Sequence, residues 1–277
     1  MNQLNVNLPE LPYAVSEAMN RLRINIKFCG KNTRKILLTS CQPNEGKSTI
    51  SSYLWKMLAE AGFPTVLVDV DLRKSVMKTR FQMDYDDDTT MGLNHYLSGM
   101  AEYEDVVYST NIPNGYMVPC TQLLENPSAL LEDVRFKELL NTLSENYRFV
   151  IIDSPPLGRA VEEQHDVGIL LDRAGVAQVG QNRTLIASLC DGAVLVVRAG
   201  TTPRTLIKQS LYEIQQSGCK LLGTVLNRAD VKGRAYGKYG YGKYGYGYGY
   251  GYGYGYEPKD KKNSSDSAAA DKNSTGK

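Results

Sequence analysis

Ile36-Leu37-Leu38-Thr39-Ser40-Cys41-Gln42-Pro43-Asn44-Glu45-Gly46-Lys47-Ser48 runs from an apolar stretch into a polar, glycine-bearing loop. Thr49 to Glu60 then has helical spacing, with Leu54, Met57 and Leu58 on one face, and stops at Gly62 and Pro64. The order is strand, loop, helix. A nucleotide phosphate needs converging backbone N–H donors, a flexible residue that lets the backbone approach, a lysine for the terminal phosphates and a hydroxyl for Mg²⁺. Gly46, Lys47 and Ser48 supply the last three, and the helix adds its positive end. A Gly-Lys-[Ser/Thr] tripeptide occurs by chance in roughly one chain in ten of this size. The strand before it and the helix after it therefore carry the reading. Asn44, Glu45, Gly46, Lys47, Ser48 and Thr49 are expected to bind a Mg-nucleotide, ATP.

Working outward, Thr65 to Val68, Phe149 to Ile152, Ala193 to Val197 and Leu221 to Leu226 repeat the short apolar run, with helical stretches at Ser128 to Asn146 and Arg204 to Ser217. Continuous apolar strands alternating with helices predict an α/β fold with a mostly parallel central sheet covered by helices on both faces. Ligands in such sheets bind at the carboxyl ends of the strands, where the polar loops fall. Residues 1–12 are polar and proline-bearing, and Ser16 to Ile26 reads as a short helix with a Ser/Glu start.

With 277 residues the chain can hold one ordered domain with a substantial core. Its 32 basic and 30 acidic residues nearly cancel, so no strong field marks a nucleic-acid or membrane surface. Cys29, Cys41, Cys120, Cys190 and Cys219 lie far apart and, with two histidines, form no metal-ligand spacing; they read as reduced cytosolic thiols. No apolar run approaches the ~20 residues that span a bilayer, and Met1 to Tyr13 lacks a signal-peptide pattern. A cytoplasmic protein is expected, and any membrane association must come through a partner.

Two further strands end in carboxylates: Val66-Leu67-Val68-Asp69-Val70-Asp71-Leu72-Arg73 and Val150-Ile151-Ile152-Asp153-Ser154-Pro155-Pro156. A lone Asp at a strand end is more often a loop cap. Three beside one phosphate loop form the arrangement that holds Mg²⁺ and orients an attacking hydroxyl, which favours phosphoryl transfer. From Gly233 the composition changes: Tyr236, Tyr239, Tyr241, Tyr244, Tyr246, Tyr248, Tyr250, Tyr252, Tyr254 and Tyr256 are interspersed with glycines, which cannot bury a core. Residues 257–277 form a polar tail that reads as disordered.

These features together resemble the bacterial tyrosine kinases of exopolysaccharide and capsule synthesis. That family combines a P-loop, an apolar-Asp-x-Asp-x-Arg motif, an apolar-Asp-x-Pro-Pro motif and a C-terminal tyrosine cluster. The resemblance covers roughly Glu17 to Tyr256, with weaker echoes at Gly92 to Gly99 and Asn126 to Leu131. It implies a P-loop NTPase fold divided as 1–30, a segment with an oligomerisation helix; 31–232, the kinase domain; 233–256, the autophosphorylation cluster; and 257–277, the tail. It also implies catalytic roles for Lys47, Asp69, Asp71 and Asp153, with Lys47 on the β/γ-phosphates and Asp69 or Asp71 as the base. Mg²⁺ would be held by Ser48, Asp153 and Asp69, and Asn227 with Arg228 would lie at the adenine.

The ten tyrosines from Tyr236 to Tyr256 are the implied acceptors, phosphorylated in trans within a ring built through Glu17, Arg21 and Arg23. In the family's Glu-x-x-Arg-x-x-Arg pattern, Glu17 and Arg23 align and Asn20 takes the middle place, with Arg21 turned about 100° further round. Asn44 stands where the family usually has glycine, and the usual first glycine of the loop falls at Cys41. A separate transmembrane activator of the polysaccharide co-polymerase type and a cognate phosphotyrosine phosphatase complete the implied partners. Residues 159–181 add a stretch beyond the family pattern, with Val161, Ile169, Leu170 and Leu171 suggesting an amphipathic helix. The rival reading is a partitioning-type ATPase switch. Such proteins usually carry a second lysine where this chain has Gln42, and they offer the tyrosine tail no use.

Overall fold

A computed structural model of the chain describes residues 3–86, 89–124, 127–157 and 184–229. The expected amphipathic helix in 159–181, the tyrosine cluster and the polar tail lie outside the described residues. Among the described residues, eight strands form one sheet in the order β1-β4-β5-β3-β6-β2-β7-β8. They are β1 (Gln3–Leu4), β2 (Lys35–Ser40), β3 (Thr65–Asp69), β4 (Tyr108–Thr110), β5 (Gly115–Val118), β6 (Phe149–Asp153), β7 (Gly192–Arg198) and β8 (Leu221–Asn227). Every neighbouring pair is parallel except β4 with β5. The expected mostly parallel α/β architecture is what the chain adopts.

The apolar strands divide their side chains between two cores. Leu37, Val66, Val68, Val150, Ile152, Ala193 and Leu195 pack on one face of the sheet, with the helices Val134–Asn146 and Arg204–Gln216 against them. Ile36, Leu38, Leu67, Phe149, Ile151, Val194 and Val196 pack on the other, under α1 (Tyr13–Lys27) and α2 (Lys47–Glu60). Strand side chains alternate faces, so a strand apolar at every position needs cover on both. Each fully buried Leu, Ile or Val contributes about 1.5–3 kcal/mol. Trp55 of α2 is fully buried, and its Nε1 donates to the Thr65 carbonyl at 3.1 Å, fixing the helix over β3.

The structure corrects four local expectations. The first helix begins at Tyr13 rather than Ser16, because the Pro12 carbonyl accepts from the backbone N–H of both Val15 and Ser16 at 2.9 Å and no side chain caps it. Residues 1–12 are not merely a polar lead: Leu4, Val6 and Leu8 are buried in alternation, and β1 pairs with β4. Ser128 to Asn146 is two helices, Ser128–Glu132 and Val134–Asn146, because the Asp133 side chain accepts from Arg135 N and caps the second. Finally, β8 is an edge strand rather than a buried one, and Leu221 and Leu226 are exposed.

Candidate functional site

The carboxyl ends of β2, β3 and β6 converge because these strands are parallel neighbours; Asp69 and Asp153 are register partners, and so are Leu38 and Asp153. Helix α2 begins at Lys47, two residues earlier than its spacing suggested, so Lys47 and Ser48 lie in its first turn. The loop before it turns on two left-handed residues, Asn44 at φ 63° and Gly46 at φ 93°. Asparagine is one of the few side chains that enter this region at modest cost, which accounts for a non-glycine at position 44. Gly46 is constrained further, since a Cβ there would lie 2.0 Å from Asn227 Nδ2.

Asn227 ends β8 and donates from Nδ2 to the Glu45 carbonyl at 2.8 Å, while its Oδ1 accepts from Arg228 N at 2.9 Å. The structure thus places Asn227 directly against the phosphate loop and leaves Arg228 exposed beside it. Glu45 turns its carboxylate inward, accepting from Gln42 N at 3.0 Å and from the Thr202 hydroxyl. Its backbone, not its charge, borders the phosphate position. Thr202, 157 positions along the chain, gave no sequence signal for this role. Cys41 packs in the apolar core, and burial pushes its thiol up. Arg80 Nη1 donates to Thr49 Oγ1 at 3.2 Å, bringing a cation to the mouth of the loop that motif reading also missed.

Lys47 is buried and joins the carboxylates. Its Nζ lies 3.0 Å from Asp153 Oδ1, 3.9 Å from Asp71 Oδ2 and 3.3 Å from Ser48 Oγ. Asp69 and Asp153 are each about 1% exposed, whereas the Asp71 side chain is 15% exposed. Burial pushes the Asp69 carboxyl up to about 8; Asp153 and Asp71 push the same way, and the Ser75 hydroxyl and Lys47 oppose them. Among the described residues, Asp153 Oδ2 is buried without a hydrogen-bond partner. Ser51 Oγ lies 3.0 Å from the other oxygen, Oδ1. The four expected catalytic residues, Lys47, Asp69, Asp71 and Asp153, are therefore brought together at the N-terminus of α2.

This arrangement fits a hydrated divalent cation beside a nucleotide. An excess of carboxylates over lysine, an unpartnered buried carboxylate oxygen and a Ser48 hydroxyl within the first helical turn match the donors that Mg²⁺ takes beside phosphates. Among the described residues no three His, Cys, Asp or Glu side chains form a metal cage, so phosphate and water would complete the coordination. The oligomerisation candidates lie elsewhere, on α1: Arg21 is exposed and Glu17 and Arg23 are half-buried.

Residues 33–164 match a family model described as an AAA domain. Over 228 residues the chain is 38% identical to the tyrosine-protein kinase CpsD of Streptococcus agalactiae, covering 82% of this chain and 90% of that one. It is 28% identical to the tyrosine-protein kinase YwqD of Bacillus subtilis, covering 81% and 86%. Among solved structures it resembles the chimerical protein CapA2B2, with a TM-score of 0.65, 30% identity and coverage of 81% and 92%. The kinase domain of the Escherichia coli tyrosine kinase ETK shares the fold, with a TM-score of 0.62, 24% identity and coverage of 84% and 80%. The septum site-determining protein MinD of Pyrococcus horikoshii, complexed with Mg-ADP, shares it at a TM-score of 0.51 and 24% identity, covering 72% of each chain. The phosphate loop, the three strand-end aspartates and the near-complete overlap with CpsD lead to one conclusion: the chain belongs to the family of bacterial tyrosine-protein kinases.

Proposed function

We propose that the chain uses Mg-ATP to phosphorylate the tyrosine cluster Tyr236 to Tyr256 on another copy of itself, and so regulates capsular or exopolysaccharide synthesis together with a transmembrane activator. The observation that carries this reading is the convergence of Lys47, Asp69, Asp71 and Asp153 on one phosphate loop. Lys47 binds and orients the terminal phosphates. Ser48, Asp153 and Asp69 would hold Mg²⁺, which when bound would neutralise charge on the phosphates. Asp71, more exposed than Asp69, is the carboxylate a tyrosine hydroxyl can reach, and it takes the proton. Asn227 and Arg228 border the nucleotide's base.

Each phosphate adds about −1.5 to −2 charges, so phosphorylated tails repel and a ring of subunits separates. Tyr13, Val15 and Ile24, exposed on α1 with Glu17, Arg21 and Arg23, and Phe28, exposed at its C-cap, support an assembly surface there. No helix among the described residues is long and apolar enough to cross a membrane. The reading therefore places the kinase in the cytoplasm, brought to the membrane by its activator, with a phosphotyrosine phosphatase to reset the tail.

Transfer between copies is tested by mixing a Lys47→Met chain, tail intact, with a chain ending at residue 232, in Mg-ATP and the activator's cytoplasmic segment. Phosphate on Tyr236 to Tyr256 of the Lys47→Met copy is expected. A bare tail there, while intact chain labels itself in parallel, would contradict transfer between copies.

A further inference from the structure

The two oxygens of Asp153 are treated differently. Oδ1 faces the Lys47 ammonium at 3.0 Å and the Ser51 hydroxyl at 3.0 Å, while buried Oδ2 has no hydrogen-bond partner among the described residues. Ser51 follows Lys47 by four positions and Ser48 by three, so all three project from one face of α2 toward the end of β6. It is fully buried, and its Oγ also lies 3.0 Å from the Ser48 carbonyl, a group already served by the Ser52 hydroxyl at 2.8 Å. A hydroxyl has one proton to donate, and an ionised carboxylate is a stronger acceptor than a backbone carbonyl that already has a donor.

From this we infer that Ser51 is a positioning residue for the metal site: its hydroxyl, with Lys47, ties down Oδ1 and so presents Oδ2 to the hydrated Mg²⁺ that accompanies ATP. The inference rests on the Mg-ATP reading of the site. Lys47 alone cannot fix the carboxylate, because the same ammonium also faces Asp71 and Ser48 and serves the phosphates. Ser51 touches no phosphate position; it acts through Asp153. Groups that orient a metal ligand typically change metal affinity by 10–100-fold when removed.

The test is a titration of Mg²⁺ into the full-length chain with a fluorescent ATP analogue, reading nucleotide binding rather than kinase activity. For Ser51→Ala, binding without Mg²⁺ stays at the parent level, and the Mg²⁺ concentration at half-maximal tightening rises about tenfold. Ser51→Thr, which keeps a hydroxyl, stays within about threefold of the parent because the orienting donor is retained. Ser52→Ala is the control: it removes an equally buried hydroxyl one residue along that bonds the Ser48 carbonyl and does not reach Asp153. An unshifted Mg²⁺ response in Ser51→Ala, or an equal shift in Ser52→Ala, would overturn the inference. If binding to the parent chain itself gained nothing from Mg²⁺, the Mg-ATP reading would fail instead.

Discussion

The two ends of the central sheet handle charge in opposite ways. At the amino ends, Asp191 Oδ2 accepts from both Arg34 N and Lys35 N at 2.8 Å, Arg34 Nη1 donates to the Ser144 carbonyl at 2.6 Å, and Arg148 reaches the Thr33 and Gly30 carbonyls. Arg148 also lies over the Phe149 ring at 4.2 Å. Each of these charges ties a strand start to a neighbouring loop or helix. At the carboxyl ends, Asp69, Asp71 and Asp153 crowd around Lys47, one carboxylate oxygen has no partner among the described residues, and Asp69 is held near neutrality. One end of the sheet is closed by its own hydrogen bonds. The other keeps a buried carboxylate oxygen without a partner among the described residues, and on the proposed reading a cation and phosphates would complete it.

The contrast predicts separable phenotypes. The largest effect belongs to the carboxyl end: Asp153→Asn lowers the initial rate of tail phosphorylation at least about a hundredfold, with circular dichroism unchanged. A rate within threefold of the parent would erase the distinction. Next, Asp191→Ala leaves two strand-start N–H groups without their acceptor and costs about 2 kcal/mol. That corresponds to a melting temperature lower by roughly 4–8 °C. Nucleotide affinity stays within twofold of the parent; a larger loss would show that the two ends are coupled.

The last effect depends on pH and concerns Asp69 without Mg²⁺ or nucleotide. Its carboxyl rises from 3.8 to about 8 on folding, so the native state holds the proton more tightly than the unfolded chain between those values. This group's contribution to stability is therefore present at low pH and lost as pH climbs toward 8. Asp69→Asn mimics the protonated form. It should melt clearly above the parent at pH 8 and level with it near pH 4. A constant difference across that range would remove titration as the cause.

Most of the fold was legible because β2, β3, β6 and β7 are unbroken apolar runs, and only a sheet covered on both faces asks for that pattern. The strands that escaped, β1, β4 and β5, are two to four residues long and include polar positions such as Gln3 and Ser109. Leu4, Val6 and Leu8 did carry a period-two signal that the flanking prolines obscured. In the site, Lys47, Asp69, Asp71 and Asp153 could be read because each falls where a strand or the loop must end. Ser51 and Ser75 could not, since a serine in a helix or turn looks the same whether it faces water or a carboxylate. Thr202 was hidden for a different reason: its partner Glu45 is distant in sequence, and only the adjacency of β2 and β7 brings them together.

The most direct measurement is to incubate the full-length chain with Mg-ATP and the activator's cytoplasmic segment, and to map phosphotyrosine by mass spectrometry beside a Lys47→Met chain treated alone in the same way. The account predicts phosphate on several tyrosines between Tyr236 and Tyr256 of the parent and none on the Lys47→Met chain. Phosphate absent from that cluster in the parent, or undiminished in the Lys47→Met chain, would contradict it.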